Sequence, residues 1–223
     1  MCGRYALYHD AETLNERFGV SNAGDFDATY NAAPSETLPV KTNEHSDAFS
    51  GFQWGLVPPW ADDDTNPPIN ARAETIAEKP TFEESYRERR CIVPVSGFYE
   101  WADGTPYYLE RADGEPLGLA GVWATWTPET KQTGLGEFGS GGPSGEAEPR
   151  HSFAVVTTEP AGVVADLHHR QAVVVEPENE DAWLHGDDPR ELFEPSDPGL
   201  VAREVSTAVN DPTTDHPGLV EGV

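Results

Sequence analysis

Cysteine is scarce in this chain, since its 223 residues include only Cys2 and Cys91. So low a count excludes the disulfide-dense scaffolds of small secreted proteins. Cys91 opens the apolar run Cys-Ile-Val-Pro-Val and is interpreted as a buried, inert thiol; a Cys2–Cys91 disulfide is the less favoured alternative. No Cys or His spacing matches a zinc site, and adjacent histidines such as His168 and His169 rarely face one metal. We therefore expect no metal and no cofactor.

Long hydrophobic runs are also missing. The longest, residues 117–124, is far too short to cross a bilayer, which requires about 20 residues. No basic segment leads into an apolar stretch at the start of the chain, so no secretion signal is visible. Six Trp, seven Tyr and nine Phe nevertheless supply bulky core material. We expect a soluble, cytoplasmic monomer without membrane contacts.

Positive charge is the third shortage. Forty Asp and Glu oppose fourteen Lys and Arg, only three of them Lys, which gives a formal net charge of −26. Such an excess repels itself in an ordinary cytosol, whereas molar salt shortens the Debye length to about 3 Å and screens the repulsion. We interpret the composition as halophilic adaptation. The negative net charge argues against a nucleic-acid partner unless basic residues are concentrated in one part of the surface.

Five of the fourteen cations do fall within nineteen residues. They are Arg72, Lys79, Arg87, Arg89 and Arg90. This cluster predicts a local basic groove on an acidic body. The alternative is a helix face of compensating charges, because Glu83, Glu84 and Glu88 interleave with the arginines.

Short strands and few helices predict one α+β domain over residues 1–223, built on a curved, mainly antiparallel β-sheet. A helix is predicted over residues 10–18, with Asp10 as N-cap and Gly19 just beyond its end. A capping box, Thr81 to Glu84, opens a second over residues 81–89, and two more are expected at about 161–167 and 177–184. Strands are predicted at 38–42, 49–54, 91–95, 97–101, 107–110, 117–125, 152–158 and 171–176. Residues 127–150, rich in Gly, Glu and Ser, are predicted to be a flexible insertion between two strands.

Cys2 is the most informative residue. Met-aminopeptidases usually remove an initiating Met before a residue as small as Cys, which would leave an α-amine and a thiol on adjacent carbons. Such a 1,2-aminothiol condenses with an aldehyde to an imine and then closes to a thiazolidine. The amine and thiol titrate near pH values of roughly 8 and 8.5, so a carboxylate or imidazole nearby could manage their protons.

Six short segments place polar residues beside aromatics or glycines in a way that core packing does not require. They are Met1-Cys2-Gly3-Arg4-Tyr5, Tyr30-Asn31-Ala32-Ala33-Pro34, Trp54-Gly55-Leu56-Val57-Pro58-Pro59-Trp60, Ile69-Asn70-Ala71-Arg72-Ala73-Glu74-Thr75, Gly97-Phe98-Tyr99-Glu100-Trp101 and Leu167-His168-His169-Arg170. In this order and spacing they resemble the SOS response-associated peptidase (SRAP) family, abasic-site sensors of the DNA damage response that crosslink themselves to single-stranded DNA. The resemblance covers the chain outside residues 127–150. It implies the SRAP-like fold, a single-stranded DNA partner that contains abasic sites, and association with the nucleoid when damaged DNA is bound.

The resemblance also implies roles for individual residues. Cys2 matches the nucleophile, Asn70 the residue that holds the reacting sugar, Glu100 the carboxylate near the amine, and His168 the acid–base group on the sugar hydroxyl. The expected DNA-binding residues are Arg4, Asn31, Trp54, Arg72 and Arg170. One departure from the family pattern is the missing proline after Arg170, and His169 could compete with its neighbour.

Other interpretations of these residues stay open. Glu100 could point outward from a strand, His168 could be an exposed residue at a helix end, and Trp54 and Trp60 could be core residues. The family is classed as a peptidase, so a cysteine-type hydrolase that processes its own N-terminus is an alternative function, as is a lyase-type activity. A third alternative is a non-catalytic single-stranded DNA-binding module.

Overall fold

Three short α-helices and thirteen strands make up the regular structure of residues 2–128 and 148–223, the part of the chain that this computed structural model describes. The helices are α1 (Ala11–Phe18), α2 (Glu83–Glu88) and α3 (Glu180–His185). The strands are β1 (Tyr5–Leu7), β2 (Thr29–Ala32), β3 (Thr37–Thr42), β4 (Ser50–Trp54), β5 (Asn70–Arg72), β6 (Arg90–Val95), β7 (Gly97–Ala102), β8 (Thr105–Arg111), β9 (Leu117–Trp126), β10 (Arg150–Thr158), β11 (Gln171–Ala172), β12 (Val174–Val175) and β13 (Leu200–Glu204). The mixed α+β class predicted from the sequence is confirmed.

The strands form two sheets. The smaller sheet has the order β13-β8-β7-β1-β2, and all its pairs are antiparallel. In the larger sheet the pairings β10-β4-β3-β6-β9 return from β9 to β10, so these five strands close into a ring. The only parallel pairs in the described residues are β10 with β4 and β10 with β5. The prediction of a curved, mainly antiparallel sheet is therefore confirmed.

Local capping chemistry explains the first helix and corrects the second. Asp10 caps α1 by accepting a hydrogen bond from the Thr13 N–H (2.9 Å), and Gly19 ends it with a φ of 63°, as predicted. The predicted capping box is wrong, since α2 begins at Glu83 without a side-chain cap. The N–H groups of Phe82 and Glu83 both donate to the Lys79 carbonyl at 2.8 Å. These amides are therefore already satisfied by a preceding turn.

The other predicted elements are found with shifted ends. The helix expected at 161–167 is a 3₁₀ turn, Gly162–Asp166, and the one expected at 177–184 is a 3₁₀ turn, Pro177–Asn179, that leads into α3. The single strand expected at 171–176 is divided, because β11 pairs with β10 while β12 pairs with β9. Val173 bridges the two by donating to the Val156 carbonyl and accepting from the Ala120 N–H (2.9 Å each).

The main hydrophobic core includes buried residues of the ring strands and of the elements packed against them. Every residue of β6 is buried, and Cys91 is a fully buried free thiol, as predicted. A Cβ on Gly121 would lie 2.8 Å from the Cys91 sulfur, so this close approach of β9 to β6 requires glycine. The predicted insertion lies mostly outside the described residues. The two strands that flank it are neighbours, because Trp126 pairs with Arg150.

Candidate functional site at Cys2

The N-terminal segment enters the smaller sheet between two other strands. Tyr5 pairs with Phe98 of β7, and the Tyr99 N–H donates to the Arg4 carbonyl at 3.0 Å. Because the strands are antiparallel, this register carries Cys2 alongside Glu100. The start of β7 requires Gly97, since a Cβ there would lie 2.4 Å from the Leu109 carbonyl oxygen.

Glu100 points inward. It is only 1% exposed, so the interpretation that it faces solvent from an alternating strand is wrong. Burial raises the pKa of the Glu100 carboxyl above its ordinary value. A carboxyl group whose pKa is raised by burial can hold or release a proton closer to neutral pH, as general acid–base catalysis requires.

Asn70 contacts Cys2 directly from another strand. Its side-chain Nδ2 donates to the Cys2 carbonyl oxygen at 2.9 Å. The position of Asn70 is set by the parallel pairing of β5 with β10, in which it lies opposite Val155. Its Oδ1 is buried and accepts no hydrogen bond from the described residues. A buried amide oxygen beside the proposed nucleophile is thus available to accept from an amine or a hydroxyl group.

His168 closes the site from a third direction. Its N–H donates to the Val164 carbonyl (2.9 Å), which folds the end of the 3₁₀ turn back on itself, and its Nδ1 lies 4.0 Å from Glu100 Oε2. The imidazole is 19% exposed, so it is not the solvent-exposed residue that the alternative interpretation supposed. Burial lowers the pKa of His168, which favours the neutral ring at neutral pH.

His169 lies next to this imidazole on the solvent side. The two ring centroids are 4.2 Å apart, with 30° between their planes. The charge of the His168 ring lowers the pKa of the exposed His169. Of the two histidines, His168 is the one that is partly buried and has its ring nitrogen 4.0 Å from the Glu100 carboxylate.

The Cys2 thiol is fully buried and does not form a disulfide with Cys91. Burial raises the pKa of this thiol well above its ordinary value, the charge of Glu100 raises it further, and the backbone N–H of Arg4 lowers it. The group is therefore a neutral thiol at neutral pH, and an amine would have to react before it.

Arg4 and Arg72 lie on the two segments that carry Cys2 and Asn70. Arg4 is half-buried and its Nη1 donates to the Gly3 carbonyl (3.1 Å). Arg72 ends β5, two residues after Asn70, and is exposed. Both guanidinium groups belong to segments that carry the candidate site, which is consistent with the DNA contacts expected of them.

Asn31 and Trp54 are placed differently from the expectation. The Asn31 side chain is buried and donates to three carbonyl oxygens of the C-terminal segment, those of Val209, Asp211 and Thr214, at 2.9–3.3 Å. The indole of Trp54 is fully buried against Tyr5 and Phe153, and its Nε1 donates to the Ile69 carbonyl at 3.0 Å. In this conformation neither side chain presents a surface to DNA, because each is used to hold loops together. For Trp54 the structure agrees with the core interpretation.

Trp60 is a large aromatic residue that is exposed, at 61%. It lies on the turn in which the Ala61 N–H donates to the Pro58 carbonyl at 3.0 Å. Beside this turn runs a groove of about 740 Å³ that reaches Asn70 and is lined by Pro34, Ser35, Trp54, Asp64, Asn66, Pro67, Pro68 and Ile69. The hollow under Trp60 shares the segment Asn66 to Pro68 with this groove. An extended surface therefore leads from the exposed indole to the amide beside Cys2.

Arg170 is buried and faces inward. Its Nη2 donates to the Thr157 carbonyl oxygen at 2.5 Å and to Glu74 Oε2 at 3.0 Å, while its Nη1 is paired with Glu74 Oε1. The guanidinium expected to contact DNA is thus engaged by protein acceptors. The sequence reasoning missed Glu74 as its partner, although this residue stands inside the Ala-Arg-Ala-Glu-Thr segment.

The basic cluster is largely neutralised. Arg87 pairs with Glu83 (2.7 Å) and Arg89 with Glu84 (2.8 Å), while Arg90 is buried and donates to the Gly186 carbonyl at 2.5 Å. The ion pairs of Arg87 and Arg89 support the alternative of compensating charges, whereas Arg90 is withdrawn from the surface by burial in β6. The basic groove proposed from the sequence is reduced to Arg72 and Lys79, which are both exposed.

The described part of the chain has neither a cluster of metal-binding side chains nor a membrane-spanning helix. Within 2–128 and 148–223, no group of three or more His, Cys, Asp or Glu residues is arranged to hold a metal ion. No helix of that same part of the chain is long and apolar enough to cross a membrane.

A solved structure shares this arrangement of elements. A crystal structure of a protein from Bacteroides thetaiotaomicron superposes with a TM-score of 0.82 at 25% identity, and the match covers 100% of both chains. The fold therefore belongs to an established class of α+β proteins. In this chain the fold places a thiol, an amide, a carboxyl group and an imidazole around residue 2.

The model of the family described as SOS response associated peptidase (SRAP) matches residues 1–212, so the chain belongs to this family. It is 32% identical over 239 aligned positions to the abasic site processing protein YoqW of Bacillus subtilis, covering 99% of both chains. Identity to the abasic site processing protein YedK of Escherichia coli is 27%, covering 82% of this chain and 79% of YedK. For the abasic site processing protein HMCES of Gallus gallus the identity is 24%, covering 97% of this chain and 76% of HMCES. The resemblance inferred from the six segments is confirmed.

Proposed function

We propose that this protein processes abasic sites in single-stranded DNA by forming a covalent thiazolidine with them through Cys2, once Met1 has been removed, and so shields the lesion. The observation that carries the proposal is the convergence of Asn70, Glu100 and His168 on Cys2. Three separate strands or turns bring them there. The printed names of the relatives support the same lesion.

The first chemical step is attack of the Cys2 α-amine on the C1 aldehyde of the ring-opened sugar. The carbinolamine then loses water to give an imine, with a proton delivered to the departing hydroxyl group. Glu100, whose pKa is raised by burial, is suited to take the proton from the amine and return it to this oxygen. The free acceptor on Asn70 can hold the amine or a sugar hydroxyl in place.

The second step closes the ring. The Cys2 sulfur adds to the imine carbon, a C–S bond forms, and the thiol proton ends on the nitrogen, so no oxidant or reductant is needed. The neutral thiol state explains why the imine comes first. His168 is placed to exchange a proton with the sugar hydroxyl, and the reverse of these steps releases the DNA.

We assign DNA contacts to half-buried and exposed groups around the site. Arg4 and Arg72 would contact phosphates, and the indole of Trp60 offers a face on which a base can stack. Stacking of this kind contributes about 1–3 kcal/mol per base. Trp60→Ala should therefore weaken binding of undamaged single-stranded DNA, while Phe26→Ala, at a ring that does not line this groove, should not.

The decisive experiment incubates the processed protein with single-stranded DNA that contains one abasic site. Intact mass spectrometry and a denaturing gel should show one DNA strand added per chain, with loss of one water. Cys2→Ala should abolish the product, whereas Cys91→Ala, at the other buried thiol, should retain it. Cys2→Ala and Cys2→Ser both keep the α-amine but lack the thiol, so in each variant the stable thiazolidine should be absent and only an imine that borohydride traps should form.

Other outcomes identify the alternative functions. Cleavage of peptides without a DNA adduct would indicate a cysteine-type peptidase, although the raised pKa of the Cys2 thiol disfavours a reactive thiolate. Reversible DNA binding that Cys2→Ala leaves unchanged would indicate a non-catalytic binding module. Strand scission without a stable adduct would indicate a lyase.

A further inference from the structure

We propose that Arg170 and Glu74 form a positioning pair that holds the His168 imidazole in the active site, rather than a phosphate contact. This inference rests on the proposed function for its kinetic consequences, but its structural content can be tested without DNA. It differs from the role that the family resemblance implies for Arg170.

The side chain of Arg170 is anchored at two points. Its guanidinium makes a two-pronged contact with the Glu74 carboxylate and donates to the carbonyl and hydroxyl oxygens of Thr157, the latter at 3.3 Å. The residue is 8% exposed. A guanidinium with these acceptors cannot reach a DNA phosphate without breaking a bidentate ion pair, the geometry in which arginine binds carboxylates most strongly.

The backbone of the same residue holds the imidazole. The Arg170 N–H lies 3.0 Å from His168 Nδ1, and the Arg170 carbonyl oxygen lies 3.1 Å from the same atom. The N–H can donate when the neutral ring carries its proton on Nε2, and the carbonyl can accept when Nδ1 carries a proton. One residue therefore orients the imidazole in both states of an acid–base cycle.

Glu74 connects this anchor to the other half of the site. It follows β5 by two residues, and β5 begins with Asn70. Thr157, the other acceptor, pairs with Arg72 in the parallel β5–β10 ladder. The ion pair thus fixes the loop that carries His168 to the strand that carries Asn70, although 98 positions separate these residues along the chain.

Glu74→Gln distinguishes positioning from phosphate contact because the two roles predict opposite results. If the pair positions His168, the crosslinking rate at saturating DNA should fall about tenfold or more, since small displacements of a catalytic group are costly. Affinity for undamaged single-stranded DNA should stay within about twofold, with an unchanged salt dependence. If Arg170 instead serves phosphate, freeing it should tighten binding and steepen the salt dependence by about one ion.

Tighter binding of this kind, or an unchanged crosslinking rate, would overturn the proposal. The matched control is Glu83→Gln, which removes a carboxylate from the exposed pair with Arg87 and should change neither quantity. Arg170→Ala is the stronger variant, but it removes a buried charge and can unfold the protein. Glu74 is half-exposed, so its glutamine variant keeps the test interpretable.

A measurement independent of crosslinking follows the imidazole itself. NMR titration of ¹⁵N-histidine-labelled protein should show the His168 pKa rising toward its ordinary value in Glu74→Gln, because the ring leaves its partly buried position. Glu100 and His169 face this ring and are unchanged by the substitution. An unaltered His168 titration would overturn the proposal even if the wild-type protein crosslinked normally. If the wild-type protein formed no adduct, the titration would still decide this inference.

Discussion

The two cysteines occupy contrasting environments at the same burial. Cys2 and Cys91 are both completely inaccessible to solvent, and burial raises the pKa of both thiols. For Cys91 burial is the sole cause of the shift, because it lies among the apolar residues of the closed ring. Around Cys2 the charge of Glu100 and the N–H of Arg4 also act, and Asn70 binds its carbonyl. The polar neighbours, rather than exposure, distinguish the candidate nucleophile from the structural thiol.

The largest effect is expected from removing the charge of Glu100. Glu100→Gln should slow adduct formation by about 10²- to 10⁴-fold, the usual contribution of a general acid–base group. Single-turnover gel assays at saturating DNA measure this rate of adduct formation. A rate within a factor of about three of wild type would remove Glu100 from the mechanism that we propose.

The same variant predicts a change in stability. The folded-state pKa of Glu100 is raised above its unfolded value, so the wild-type protein should lose stability as pH rises through that folded pKa. Glu100→Gln should lack this loss and unfold at equal or higher denaturant concentration than wild type at pH 7.5. Denaturant unfolding at pH 5 and 7.5 tests the sign; a variant less stable at pH 7.5 would contradict it.

His168 and His169 provide a second, smaller contrast. His168→Ala should slow adduct formation or its reversal about 10²-fold, while His169→Ala should change either by less than about threefold. Because the pKa of His168 is lowered, its neutral form should persist below the ordinary histidine value of about 6.5. The rate should then remain high at pH 6. Equal losses in the two variants would show that His169 shares the role.

Substituting serine for each cysteine in turn tests, without DNA, how polar the surroundings of Cys2 and Cys91 are. Cys91→Ser places a hydroxyl group among apolar side chains and should cost about 1–3 kcal/mol in the free energy of unfolding. Cys2→Ser should cost less, since polar groups surround it. Denaturant unfolding of the two variants measures the difference, and a greater loss at position 2 would reverse our view of the two sites.

The smallest effect concerns salt. Phosphate contacts weaken steeply with salt through counterion release, but a protein of net charge −26 gains little from long-range attraction to DNA. We expect crosslinking yield to change by less than about threefold between low salt and molar KCl. A collapse of the yield in molar KCl would refute the proposal that capture depends on covalent chemistry, stacking and short hydrogen bonds.

The sequence predicted correctly those structural features that are decided by residues close together in the chain, such as the ends of α1. Asp10 and Gly19 define α1 because capping is decided within a few positions. The Thr81 capping box failed because the carbonyl of Lys79, also a local group, had already satisfied the amides. The divided strand at 171–176 could not be foreseen, since its two halves pair with β10 and β9, which are distant in sequence.

In the candidate site, too, local features were predictable from the sequence and long-range contacts were not. The motifs predicted the chemical types that meet at Cys2, and the structure brings Asn70, Glu100 and His168 there. Which way a side chain faces was not predictable, because that depends on sheet packing. Trp54 and Arg170 are both turned inward by contacts with residues far along the chain. Glu74 stands in one of the six segments, but nothing there identifies Arg170 as its partner, and Thr157 carries no signal of its own in the sequence.

The strand that follows Cys2 is an interior one, with β7 on one side and β2 on the other. A DNA strand joined to residue 2 would therefore pull on backbone held by hydrogen bonds along both flanks. A force on the joined strand would be shared between these two neighbours instead of peeling away an unprotected edge. An anchor of this kind suits the proposed covalent attachment to a strand that has lost a base.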